Sequence, residues 1–123
     1  MKVFFVDDSN IVIKKLMEML SGIKGVDCVG QAGNARDAIA AIPEKKPDVV
    51  ILDIRLEGGA NGMDVLKEIK KEKISPVVIM LTNYPYPQYR DRCRVLGADY
   101  FFDKVTEIEK VYEVFNQMTK AKA

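Results

Sequence analysis

Histidine is absent from all 123 residues. That omission excludes a Ser-His-Asp triad, a His-ligated zinc and any imidazole general base. Cysteine is scarce: Cys28 and Cys93 stand far apart and form no CxxC pair, so two reduced thiols are expected rather than a disulfide. No apolar run approaches the roughly 18 residues of a membrane span. The opening MKVFFVDDSN has one Lys and an apolar stretch cut by two acids, which reads as a first strand and not as a signal peptide. An excess of either charge is also missing. With 19 basic residues against 18 acidic, the net charge is +1, and no electrostatic footprint for nucleic acid or an anionic membrane results.

What is present is the material of a soluble globular domain, 48% hydrophobic and 30% charged, in a chain long enough for a real core. No repeat, linker or low-complexity stretch divides it. One domain over residues 1–123 is expected, without an output domain, in the cytoplasm.

Short β-branched or aromatic runs recur at about 2–6, 26–30, 48–52, 77–81 and 99–102, and segments with helical spacing lie between them. The first helix, about 9–21, carries Val12, Leu16, Met19 and Leu20 on one stripe. The second, about 35–42, groups Ala35, Ala38, Ile39 and Ile42 behind an Asn34 N-cap, with Pro43 expected to end or kink it. The third, about 63–73, turns Val65, Leu66 and Ile69 inward. The fourth is expected to start near Pro87 and stop at Gly97. The last, about 106–120, aligns Ile108, Val111, Tyr112 and Phe115, with Thr106 and Glu109 as a capping box.

Five strands alternating with five helices predict an α/β fold: a doubly wound, five-stranded parallel sheet in the flavodoxin-like order 2-1-3-4-5, covered on both faces as three α/β/α layers. In such a sheet ligands bind beyond the carboxyl ends of the strands, where strand order reverses. Asp7 and Asp8 follow the first strand and Asp53 the third, so three acids are expected in one crevice. Helix capping by Asp8-Ser9 would account for one acid, not three. At about 5 Å and an effective dielectric near 20, each like-charge pair costs about 3 kcal/mol, so the cluster calls for a cation. An all-oxygen ligand set points to Mg²⁺ or Mn²⁺. Thr82 and Lys104 follow the fourth and fifth strands. A carboxylate, a metal, a hydroxyl and an ammonium are what a transferred phosphoryl group requires, and Asp can accept it as an aspartyl phosphate.

The acid pair in VDDS, the acceptor in ILDIR, the hydroxyl in MLTN and the lysine in FFDK together resemble the receiver domain of two-component response regulators, of the single-domain, chemotaxis-regulator-like kind, over essentially the whole chain. The resemblance implies a phosphorylation-controlled signalling switch in a phosphorelay. Asp53 would accept phosphate from a sensor histidine kinase or a histidine phosphotransfer protein, and the chain would catalyse only its own phosphorylation and dephosphorylation. Asp8 and Asp53 would ligate Mg²⁺ directly, Asp7 through water, and the backbone carbonyl of Arg55 would complete the protein ligands. Lys104 would pair with Asp53 and then with a phosphoryl oxygen, Thr82 would swing inward to bond another, and Phe101 would hold the aromatic switch position. Arg55 and Tyr84 would flank the attacking water and tune the lifetime of the phosphorylated form. The surface of the fourth helix, fifth strand and fifth helix would meet a downstream protein target, without direct contact with nucleic acid or membrane, in a monomer or weak dimer.

The chain departs from the family pattern in three places. Glu57 and Asn61 stand where Pro and Gly are common, and Gly62 comes one residue late, which suggests a one-residue insertion and a more flexible loop through Gly58-Gly59. Asn83 follows Thr82 where a smaller residue is usual. Val105 follows Lys104 where Pro is common, so a trans bond is expected there. In NYPYPQYRDR, Tyr84, Tyr86 and Tyr89 form either a partner surface or a rigid loop of half-buried tyrosines. MTKAKA reads as a frayed terminus, which favours a stand-alone regulator over an excised receiver. An Asp-dependent phosphatase of the dehalogenase type would need a second Asp two residues after its nucleophile, and Arg55 or Ser9 stands there. A flavodoxin-like cofactor site would need a hydroxyl- or Gly-rich loop in place of DDSN.

Overall fold

A computed structural model describes residues 1–58 and 61–121. Five strands, β1 (Lys2–Val6), β2 (Asp27–Ala32), β3 (Val49–Leu52), β4 (Val77–Thr82) and β5 (Tyr100–Asp103), alternate with five helices. These are α1 (Asn10–Leu20), α2 (Ala35–Lys45), α3 (Gly62–Ile69), α4 (Pro87–Val95) and α5 (Ile108–Ala121). The strands form one parallel sheet in the order β2-β1-β3-β4-β5.

The period-2 alternation of a strand sorts its side chains onto two cores. Phe4, Val6, Val50, Leu52, Val78 and Met80 face α2, α3 and α4. Val3, Phe5, Val49, Ile51, Ile79 and Leu81 face α1 and α5. Both faces are dry, which is why these strands read as unbroken apolar runs.

Several local expectations are corrected. Pro43 does not end α2, which runs on to Lys45. Pro43 stands in the last turn, so its missing N–H removes a single helical bond, and Lys46, in the left-handed region at φ 48°, closes the end by donating its N–H to the Ile42 carbonyl at 3.0 Å. Helix α3 stops at Ile69, short of 73. On α1 the fully buried stripe is Ile13, Leu16 and Leu20. On α5 it is Ile108, Val111, Val114 and Phe115, while Tyr112 remains 37% exposed. The expected Thr106–Glu109 box is replaced by reciprocal bonds between Asp103 and Glu107. The Asp103 N–H donates to Glu107 Oε1 and the Glu107 N–H to the Asp103 carbonyl, and α5 begins at Ile108. The segment from Met118 continues α5 to Ala121, and residues 122–123 lie outside the described residues. Cys28 is exposed and Cys93 buried, both free thiols. Among the described residues no helix is long and apolar enough to cross a membrane.

Candidate functional site

The chain passes from β1 outward to β2, then returns across β1 to β3, so the strand order reverses between β1 and β3. A crevice opens beyond their carboxyl ends. Backbone bonds fix the first residue past three strands. The Asp7 N–H donates to the Ala32 carbonyl at 3.0 Å, the Asp53 N–H to Val6 at 2.9 Å, and the Lys104 N–H to Thr82 at 2.8 Å. The side chains of Asp7, Asp53 and Lys104 therefore spring from backbone tied directly into the sheet.

Asp7, Asp8 and Asp53 each offer a carboxylate oxygen, and these oxygens lie within 4.8 Å of one another. Asp7 and Asp53 are buried and Asp8 is exposed. Lys104 donates to Asp7 Oδ2 and to Asp53 Oδ2, both at 2.7 Å. The remaining oxygens are held by backbone: Asp7 Oδ1 accepts from the Ser9 N–H at 2.8 Å and Asp53 Oδ1 from the Ile54 N–H at 2.7 Å. Burial pushes the Asp53 carboxyl above its ordinary value and Asp7 adds to this, while the hydrogen bond and charge of Lys104 partly offset it. Burial pulls the Lys104 ammonium down, but its bonds to Asp53 and Asp7 outweigh that and hold it above its ordinary value.

Among the described residues, three carboxylates thus share one ammonium, bonded to Asp7 and Asp53, which leaves an excess of two negative charges in a partly dry crevice. Buried charge of this kind is costly unless compensated. The donors are all oxygens and one acid opens to solvent, a set suited to a hard divalent cation that keeps some of its water. The residues fit Mg²⁺ or Mn²⁺.

Thr82 is fully buried at the end of β4, and its Oγ accepts from the Tyr84 N–H at 3.0 Å. Phe101, on β5, is paired with Met80 and half-buried against the core under α4. The Arg55 side chain is exposed, and its guanidinium lies 3.9 Å from the centre of the Tyr84 ring. Tyr84, Tyr86 and Tyr89 follow as tilted neighbours, with centroids 6.3 and 5.5 Å apart. Two of these tyrosines are half-buried and Tyr86 is 47% exposed. Asn83 is exposed. The Lys104–Val105 bond is trans.

Gly62 has the strictest backbone requirement near the site. A Cβ there would stand 1.8 Å from the Asp53 carbonyl oxygen, and its N–H donates to the Ile54 carbonyl at 2.6 Å. Asn61, just before it, caps α3 and forms a reciprocal box with Asp64. Gly58 takes φ +87°, and Gly59 lies outside the described residues.

Sequence reasoning missed Arg90. Its guanidinium lies 4.7 Å from the centre of the Phe101 ring, and its Nη1 donates to the Phe101 carbonyl at 3.2 Å. The available signal was the polarity of PQYRDRCRV: a helix with so little apolar surface must be held by something else.

A family model described as the response regulator receiver domain matches residues 3–116. The DNA-binding transcriptional activator DevR/DosR of Mycobacterium tuberculosis is 36% identical over 83 residues, which are 68% of this chain and 38% of that protein. The chain spans 32% to 60% of the length of this and other curated relatives. Among solved structures, a LuxR-family DNA-binding response regulator from Staphylococcus aureus superposes with a TM-score of 0.84 at 28% identity, covering 94% of this chain and 96% of that one. The CheX-CheY-BeF3-Mg+2 complex from Borrelia burgdorferi gives a TM-score of 0.78 at 25% identity, covering 93% and 88%.

Proposed function

Because the chain belongs to the family of response regulator receiver domains of two-component systems, in which phosphorylation of an aspartate is the general property, we propose that Asp53 is the residue phosphorylated here. The observation that carries this reading is the three-carboxylate cluster bridged by the single ammonium of Lys104. The Borrelia neighbour, named with both BeF3 and magnesium, supports a divalent ion in the same kind of site.

Asp8 and Asp53 would hold Mg²⁺ (or Mn²⁺) directly and Asp7 through water, with the backbone carbonyl of Arg55 as a further ligand. When bound, the ion supplies a positive charge to the cluster and to the oxygens of the transferred group. An oxygen of Asp53 forms the new O–P bond as the P–N bond to the donor histidine breaks, and the imidazole keeps the electron pair. Lys104 gives up its bond to Asp53 Oδ2 for one to a phosphoryl oxygen, and Thr82 donates its hydroxyl proton to another. The donor is a sensor histidine kinase or a histidine phosphotransfer protein. The chain catalyses the gain and hydrolytic loss of its own phosphoryl group and no further turnover.

We assign the signal to the surface formed by α4, β5 and α5, with Phe101 as its moving aromatic and a downstream protein as its target, in a cytoplasmic monomer or weak dimer. The net charge of +1 gives this domain no general attraction for nucleic acid. Arg55 stacked on Tyr84 beside the acceptor sets the phosphate's lifetime, so Arg55→Ala and Tyr84→Ala should change the hydrolysis rate. Equal rates in both variants and wild type would remove that role.

The reading is tested by phosphotransfer from a purified, autophosphorylated histidine kinase. Label should move to the wild type in Mg²⁺, and not in EDTA or to Asp53→Asn. Steady turnover of p-nitrophenyl phosphate would point to a phosphatase instead.

A further inference from the structure

Helix α4 is the most weakly anchored of the helices whose caps are described. It buries one residue, Cys93, and its N-cap Tyr86 makes no side-chain capping bond. Arg90 is its polar tie to β5. The guanidinium lies over the Phe101 ring at 4.7 Å and bonds the Phe101 carbonyl at 3.2 Å, gripping ring and backbone of one residue. It also lies close enough to Glu107, ahead of α5, to join Lys110 and the Asp103 N–H in holding that carboxyl below its ordinary value. One exposed side chain of α4 therefore holds both the ring and the backbone of a β5 residue within the proposed signalling surface.

Phe101 pairs with Met80, and Asp103 with Thr82, on adjacent parallel strands. Phe101 and Thr82 thus project from the same face of the sheet. Movement of the fully buried Thr82 toward a phosphoryl oxygen vacates space beside β5, and a close-packed core does not leave such space empty. Phe101 is the half-buried apolar ring able to fill it, and to do so it must leave the guanidinium.

We propose that Arg90 is a positioning residue that latches the Phe101 ring and α4 in the resting arrangement, so that phosphorylation is coupled to breaking this cation–π contact. The proposal rests on the reading of Asp53 as the acceptor. A contact made in the resting state and lost in the phosphorylated one must, by linkage, weaken binding of the phosphoryl group or its mimic. Its removal must strengthen that binding.

The test is titration of the full chain with beryllofluoride in saturating Mg²⁺, for wild type, Arg90→Ala, Arg90→Lys, Phe101→Ala and the Arg90→Ala/Phe101→Ala pair. Arg90→Ala should bind the mimic about two- to fivefold more tightly, the scale of one exposed cation–π contact, with Mg²⁺ affinity unchanged. Arg90→Lys should fall between, and Arg90→Ala should have a smaller effect once Phe101 is alanine, when only its bond to the residue-101 carbonyl remains. A merely structural role would lower the melting temperature and leave the mimic's affinity alone. Equal affinity in wild type and Arg90→Ala would overturn the latch while the acceptor reading stands. A wild type that binds no beryllofluoride would overturn both.

Discussion

At Asp53, burial and the neighbouring Asp7 disfavour the ionised carboxyl, and Lys104 offsets this in part. With a pKa in the folded chain above the ordinary 3.8, the folded state binds this proton more tightly than the unfolded one. Its contribution to stability is full below the unfolded value and is lost as pH rises through the folded value. At neutral pH without divalent metal, Asp53→Asn should therefore melt higher than wild type by about 3–6 °C for each kcal/mol of relief, an advantage that fades on acidification. Mg²⁺ should reverse the order, because only the wild type gains the full ligand set. Thermal melts with and without Mg²⁺ across pH 4–8 check both signs. At Cys93, burial lifts the thiol to about 11, whereas Cys28 is exposed. Iodoacetamide should thus modify Cys28 in the native protein and reach Cys93 only on unfolding, as peptide mapping would show.

Among the elements, the turn between β3 and α3 decides whether the acceptor is well placed. Gly62→Ala would set a methyl 1.8 Å from the Asp53 carbonyl oxygen. It should cost about 1–3 kcal/mol in urea unfolding, the usual scale of forced overpacking, and weaken uptake of beryllofluoride. A Gly62→Ala protein with wild-type stability and binding would show that the turn has slack. This turn also shows what the sequence makes legible. VVILDIR announces a buried strand ending in an acid because strand period and burial are local properties. The late Gly62 could be noticed in the chain, but its purpose lies in a close approach to a backbone nine residues earlier. Pro43 misleads because the cost of a proline depends on how many helical bonds remain beyond it, and here α2 ends two residues later. Tyr112 fits the helical stripe of α5 as well as Val114 does, and only the packing against α1 and the sheet decides that Val114 is the one buried. Arg90 was illegible for a related reason: its partner is eleven residues away on another element.

For the molecule as a whole, the sheet brings four strand ends to one edge, and the surface of α4, β5 and α5 is the one we propose to carry the outcome. One close-packed core on each face makes that frame stiff, so on the proposed reading a small displacement at Thr82 would be passed on rather than absorbed. The positions of Asp7, Asp53, Thr82 and Lys104 could be read in advance because each immediately follows, or ends, a strand, and that of Asp8 because it comes one residue later. The stack of Arg55 on Tyr84 and the contact of Arg90 with Phe101 could not, because each depends on how two separate segments of the chain pack together. Intact-mass analysis after incubation with Mg²⁺ and acetyl phosphate asks the decisive question of the assembled site. The wild type should gain one phosphoryl group, located by peptide mapping at Asp53, while Asp53→Asn gains none and EDTA prevents the change. A wild type that stays unmodified, or an Asp53→Asn chain modified to the same extent, would refute phosphorylation of this cluster.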